Sequence, residues 1–225
     1  MILFSSLYVI IATEIFIMES NIRLSTFFQK AKCLLPGELY FIPDFLSAPK
    51  ALRLYNQCLN EVSWKQTWIT IYGKSHPVPR LVSWAGDKGV HYSYSGQKFC
   101  ADGWPPGIKE VKPDIEGVLG VSFNSVLANY YEEGKHHMGW HSDNEPELGD
   151  QPVIASLSLG ATRRFLYRAK LKSRESSSNK IDLPNGSLLV MAGDFQKVWQ
   201  HRVSPTKRPV EGRINLTFRS VLKTP

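Results

Sequence analysis

The chain has 225 residues, 43% of them hydrophobic and 21% charged, and a formal net charge of +7. That length and composition exclude a disordered chain and allow one large domain, or a domain with a small extension, around a substantial core. The positive balance favours a polyanionic partner, most often nucleic acid, over a generic basic surface.

Residues 1–18, MILFSSLYVIIATEIFIM, are apolar, but they lack the basic start and small-residue cleavage site of a signal peptide. Glu14 interrupts the run, which is short for a membrane span, and Met18 closes it. An upstream misassigned start and an apolar helix packed on the body both fit better than a membrane anchor. Three cysteines, Cys33, Cys58 and Cys100, lie far apart with no CxxC pair. They fit neither a disulfide framework nor a zinc knuckle, and they point to a reducing compartment. SAPKALRLYNQCLNEVSW predicts a helix with Ser47 near its cap, Pro49 in its first turn, and Leu52, Tyr55, Leu59 and Val62 at helical spacing. TWITIYGK reads as a strand and turn. VPRLVSWAGDKGVHYSYSG reads as a hairpin about its Gly-Asp-Lys-Gly turn. The proline-rich WPPGIKEVKP reads as a link to a short helix ending near Gly120.

From there the chain is mainly strand: SVLANYY, VIASLSL, RRFLYRA, SLLVMAG and RINLTFRSVL, with turns between. Strands in succession suggest a sandwich or jelly roll. KLKSRESSSNK is a polar, basic loop. The acid-poor run holding Arg163, Arg164, Arg168, Lys170, Lys172, Arg174 and Lys180 is either a solvated loop or a contact for phosphate.

GWHSDNEPELGD places His141 and Asp143 with one residue between them, so they share a face if the backbone is extended. Such a pair can supply two metal ligands, and His201 is the only histidine after it. Two histidines and a carboxylate on one face leave open positions opposite, as in non-haem Fe(II) oxygenases. Alone, the pair is weak evidence. In GRINLTFRSV, Arg213, Asn215, Thr217 and Arg219 alternate with Ile214, Leu216, Phe218 and Ser220. The polar face is either the wet side of an antiparallel sheet or a barrel interior whose arginine forks engage a dicarboxylate. Asn129 and Tyr131 share a face of SVLANYY and can hydrogen-bond an organic acid.

Together, NSVLANYYEEGKHHMGWHSDNEPELG, PVIASLSLGATRRF, WQH and RINLTFR resemble the AlkB-type Fe(II)- and 2-oxoglutarate-dependent dioxygenases, in their nucleic-acid dealkylating branch, over about residues 38–221. The resemblance implies a double-stranded β-helix, a jelly-roll variant in a mainly β protein with flanking helices. It places an apolar extension at 1–18, helices and a nucleotide-recognition lid at 19–111, and the catalytic core at 112–225, as one integrated domain. It implies Fe(II) on His141, Asp143 and His201, and 2-oxoglutarate held by Arg213 and Arg219, with Asn215, Thr217, Asn129 and Tyr131 alongside. O2 is the other co-substrate. The implied base contacts are Tyr92 and Tyr94 flanking a flipped base, Tyr72 entering the duplex gap, and Asn144 and Glu145 at the base edge. His136 and His137 read as surface or structural histidines.

The implied reaction is oxidative demethylation of bases such as 1-methyladenine and 3-methylcytosine, in DNA and also RNA. It is coupled to decarboxylation of 2-oxoglutarate to succinate and CO2, with release of formaldehyde. A flipped, mispaired base costs less to extrude than a normal one. The expected setting is the cytoplasm, or the nucleus of a host that has one, for a monomer without a stable protein partner or membrane contact. Rival readings are an oxygenase acting on a protein side chain or lipid, a non-catalytic nucleic-acid-binding jelly roll, and a zinc hydrolase. The last leaves the Arg213 and Arg219 face without a purpose.

Overall fold

A computed structural model describes residues 30–71, 73–94, 97–171 and 178–222, and the predictions made for residues 1–18 and for Tyr72 lie outside them. The described strands are β1 (Lys32–Leu35), β2 (Leu39–Ile42), β3 (Lys65–Ile71), β4 (Lys74–Gly86), β5 (His91–Tyr94), β6 (Gln97–Cys100) and β7 (Ser125–Tyr131). They continue as β8 (Met138–His141), β9 (Ile154–Gly160), β10 (Arg163–Ala169), β11 (Asn179–Leu183), β12 (Leu188–Met191), β13 (Trp199–Val203) and β14 (Arg213–Arg219). Among the described residues, three complete α-helices accompany them, α1 (Ala48–Glu61), α2 (Pro106–Leu119) and the single-turn α3 (Phe195–Val198), with a 3-10 turn at Pro146–Leu148. No described helix is long and apolar enough to cross a membrane.

The large sheet runs β1-β2-β12-β9-β14-β7-β4-β3 and the small one β11-β10-β13-β8, all antiparallel. This is the jelly-roll architecture expected from the succession of strands. Alternation along β14 explains the layering. Ile214, Leu216 and Phe218 form a core with Leu54 of α1 and with Ile108, Val111 and Ile115 of α2. The other face of the large sheet looks toward the small one. There Leu189 and Met191 of β12 pack with Phe165, Tyr167 and Leu183 of the small sheet. Covered on both sides, β14 is buried along its whole length.

Four local expectations change. The face of α1 that meets the sheet is Ala51, Leu54 and Cys58, whereas Leu52 is 57% exposed. The small Ala51 side chain lets the helix come in against the turn at Gly186, where an added Cβ would meet it at 3.2 Å. The predicted proline-rich link is already helix from Pro106: prolines suit a first turn that has no intrahelical acceptor for its N–H groups. Glu61 Oε2 accepts the Gly107 N–H at 2.7 Å, and Gly120, at φ 67°, closes the helix as expected. The Gly-Asp-Lys-Gly turn does not make a hairpin. β4 pairs with β3 and β7, while β5 pairs with β6 in a separate two-stranded sheet. At Gly86 the chain passes so close to Asn124 that a Cβ would collide with its carbonyl oxygen. Finally, the large sheet draws β1 to β4 from before residue 112, so the core begins well ahead of the expected boundary. Those edge strands cover surface of the β-helix that would otherwise be open.

Candidate active site

The polar face of β14 points into the space between the two sheets. Register supplies its neighbours: Arg213 lies opposite Tyr131, and Asn215 lies opposite both Asn129 of β7 and Ser158 of β9. Arg213 Nη2 donates to Ser158 Oγ at 2.8 Å, and its guanidinium lies 5.3 Å from the Tyr131 ring centre. Asn215 Nδ2 donates to Ser156 Oγ at 2.8 Å, and Thr217 Oγ1 donates to Asn215 Oδ1 at 3.2 Å. Asn129 Oδ1 accepts from Arg80 Nε at 2.7 Å. Arg219 Nη1 donates to the Tyr92 hydroxyl at 2.9 Å, and its Nη2 sits 3.0 Å from Asp143 Oδ1.

Arg213 is 1% exposed, and its Nε and Nη1 find no hydrogen-bond partner among the described residues. Burial pushes its guanidinium down to about 10, with Tyr131 opposing the shift. A buried cation with two unfilled N–H donors is costly unless an anion completes it. A carboxylate is the anion that a guanidinium's N–H groups commonly take.

His141 ends β8, His201 lies in β13 directly opposite it, and Asp143 follows two residues later. Their candidate ligand atoms all lie within 4.8 Å of one another. His141 Nδ1 is 2.9 Å from the Gly139 carbonyl, to which it donates, so Nε2 presents its lone pair 3.7 Å from Asp143 Oδ1. His201 packs against the rings of Phe165 and Phe195, with centres 5.2 and 5.9 Å away, and its Nδ1 has no partner among the described residues. Burial, then the neighbouring His141, pushes His201 down to about 3. Burial likewise lowers His141. For Asp143, burial alone would raise the carboxyl, but Arg219 and both imidazoles outweigh it and hold it at about 2. Two neutral imidazoles and an ionised carboxylate form a donor set for a divalent cation, and the buried His201 Nδ1, which has no partner among the described residues, shows that the cluster is not closed by the protein's own hydrogen bonds.

Other expected contacts divide. Tyr92 is 1% exposed and stacked on Trp84, with ring centres 4.4 Å apart and planes 7° apart, so it supports Arg219 from inside instead of offering an open face. Burial raises its hydroxyl above the ordinary tyrosine value. Tyr94 lies on β5 opposite Gln97. Asn144 is exposed, and Glu145 is half-buried with its carboxyl raised by burial and by Asp143. His136 Nδ1 accepts the Glu132 N–H at 3.0 Å, and His137 Nδ1 meets the Lys135 carbonyl at 2.9 Å.

The basic run is not one surface. Arg163 is buried and donates to the carbonyls of Gly134, His136 and Ser204 at 3.2, 2.7 and 2.8 Å. Arg164 pairs with Asp182 at 2.9 Å, and Lys170 Nζ donates to Gln196 O at 2.7 Å. Lys172 and Arg174 lie outside the described residues.

Sequence reading missed Arg80, Ser156, Ser158 and Gln196. The serines alternate with Ala155, Leu157 and Leu159, which was a readable sign of a polar interior. Gln196 had no such sign. It is 2% exposed, and its Oε1 accepts the Asp143 N–H at 2.9 Å only because α3 folds against the loop after β8.

Residues 38–219 match the model of a family described as the 2OG-Fe(II) oxygenase superfamily. The chain is 39% identical over 200 residues to "Alpha-ketoglutarate-dependent dioxygenase alkB homolog 3" of Rattus norvegicus, covering 86% of this chain and 65% of that protein. It is 37% identical over 161 residues to "DNA oxidative demethylase ALKBH2" of Homo sapiens, covering 69% and 62%. The chain thus spans just under two thirds of the length of these relatives. A solved structure, "The structure of OsALKBH1", shares the fold at a TM-score of 0.62 and 19% identity, over 84% of this chain and 99% of that one.

Proposed function

The chain belongs to the 2OG-Fe(II) oxygenase superfamily, whose co-reactants are Fe(II), 2-oxoglutarate and O2, and from that premise we propose that it demethylates N-alkylated nucleobases in DNA, and also in RNA, as a repair enzyme. The observation that carries this reading is a single cavity holding both His141, Asp143 and His201 and the buried arginine face of β14. Bound iron with 2-oxoglutarate supplies the oxidation: O2 is consumed, the co-substrate becomes succinate and CO2, and the hydroxylated N-methyl group leaves as formaldehyde.

The chain's own residues bind and orient. His141, Asp143 and His201 would hold the metal, with Gln196 and Arg219 fixing the position of Asp143. Arg213, whose Nη1 has no partner among the described residues, would take the far carboxylate of 2-oxoglutarate, and Arg219 would serve the end beside the metal. Tyr131, Asn129, Asn215 and Thr217 would line the same seat. Leu127, Phe165, Leu183 and Val203 form apolar wall around it and exclude water, which strengthens each charged contact. Tyr72, Tyr94, Asn144 and Glu145 stand as the proposed contacts to the base, with Tyr92 as the inner wall.

A base reaches such a site only out of the stack, and lesions such as 1-methyladenine and 3-methylcytosine lower that cost because they pair badly. A nucleic-acid substrate suits a monomer in the cytoplasm, or in the nucleus where one exists. The test is anaerobic loading with Fe(II) and 2-oxoglutarate, then oxygen and mass spectrometry of an oligonucleotide carrying either lesion. Loss of one methyl mass with equimolar succinate, both abolished in His141→Ala, is the expected result. Succinate without demethylation would move the substrate to another class. Neither product from iron-loaded protein would overturn the enzymatic reading.

A further inference from the structure

The outer face of the small sheet carries a cation–aromatic stack that the oxidation does not use. Trp140 of β8 lies between two guanidiniums, that of Arg168 from β10 at 4.1 Å and that of Arg202 from β13 at 4.7 Å from an indole ring centre. Each of the three alternates with a residue that faces inward: His141, Tyr167 and His201. The stack therefore lies on the far side of the same sheet from the metal ligands. Arg164, on that outer face, is neutralised by Asp182. Neither Arg168 nor Arg202 has a carboxylate partner among the described residues, and the Nε of each is buried without a hydrogen bond.

Stacking on an indole holds a guanidinium flat, so little further entropy is lost when its edge meets an anion. Two such cations fixed to one ring form a rigid pair with no counter-charge among the described residues. Their place in the sheet matters as well. In the order β11-β10-β13-β8, β8 is an edge strand, and it carries both His141 and Trp140. A polyanion that passes His141 can therefore cross the β8 edge onto this face without crossing another strand.

We propose that Arg168, Trp140 and Arg202 form a docking platform for the phosphate backbone of the nucleic acid whose damaged base occupies the cavity. This rests on the nucleobase reading above and adds to it the route of the strand. The contact is to phosphate, so it is independent of sequence and sensitive to salt.

The experiment is fluorescence anisotropy of a labelled, unmodified 20-mer over a range of KCl concentrations, with wild type and Arg168→Gln/Arg202→Gln. Removing two phosphate contacts should flatten the slope of log Kd against log salt by about 1.5 and raise Kd roughly 30-fold at 0.1 M salt. Uncoupled succinate formation should be unchanged, which reports an intact cavity. Arg164→Gln, a cation already neutralised, should leave the slope as it is. Arg168→Lys/Arg202→Lys keeps the charge and should keep most of the slope, which separates loss of charge from loss of fold. An unchanged slope in the Gln double variant, with wild type still demethylating oligonucleotides, would overturn the platform and leave the function standing. Polyglutamate displacing the probe as well as unlabelled oligonucleotide would also overturn it, in favour of an acidic protein partner. A wild type that neither binds nor demethylates any oligonucleotide would overturn the nucleobase reading, and the platform with it.

Discussion

The two sheets treat the same alternation of polar and apolar residues in opposite ways. In β14 the apolar residues face the helices and the polar ones face the cavity, so both faces are interior. In β10 the apolar Phe165 and Tyr167 face inward, while Arg164 and Arg168 face out. The difference is set by what covers the back of each sheet. α1 and α2 roof the large one, whereas no described helix lies across the small one. Arginine on the large sheet is therefore desolvated and shaped for one small anion. On the outer face of the small sheet, Arg168 and Arg202 have no carboxylate partner among the described residues and can meet a large one.

The sharpest way to break this contrast is Arg213→Met. Losing two charge-assisted hydrogen bonds should cost about 3 kcal/mol of 2-oxoglutarate binding, or roughly 100-fold in its KM. Without the co-substrate, the same change removes an uncompensated buried charge, so the melting temperature of the ligand-free protein should hold or rise. A clear fall in that temperature would mean that Arg213 is a structural residue and the gap beside it has no ligand.

A smaller effect is expected at the junction between the sheets. Gln196→Leu leaves the Asp143 N–H without its acceptor. Fe(II) affinity, measured by chelator competition, should fall about tenfold, since groups that orient a metal ligand are commonly worth 10–100-fold. Gln196→Glu keeps an acceptor and should recover part of that loss. Equal affinity in wild type and Gln196→Leu would show that Asp143 needs no such support.

The smallest effect probes the roofed back of the large sheet. Burial, then Glu61, pushes the Cys58 thiol up to about 12 from 9.0, while Cys33 and Cys100 are exposed. Iodoacetamide at pH 8 should modify Cys33 and Cys100 and spare Cys58 until the protein unfolds. Because the folded state keeps this proton longer than the unfolded one, the stability it contributes is full below pH 9 and is lost as pH rises toward 12. The alkaline loss should be shallower in Cys58→Ala. Rapid labelling of all three thiols at pH 8 would mean that α1 opens readily from the sheet.

Much of this was legible before the fold was known. His141 and Asp143 are two residues apart, and their convergence needs only local geometry. The alternation of RINLTFR and of SVLANYY marked a polar face on each strand. The start and Gly120 end of the helices followed from prolines and glycine, although α2 began earlier than its prolines suggested because a proline can open a helix as readily as break one. The Gly-Asp-Lys-Gly hairpin failed for another reason. Turn chemistry is local, but Gly86 is committed to a close passage by Asn124, which lies far along the chain.

An HxD pair, a later histidine, and a strand with two faces and two arginines on one of them can be read along the chain. That His201 stands opposite His141, that the arginine face of β14 points inward, and that Gln196 and Ser158 support the site came from the fold. Periodicity tells a strand's two faces apart without saying what each will meet. That depends on pairing between residues dozens of positions apart, and on which face the helices cover.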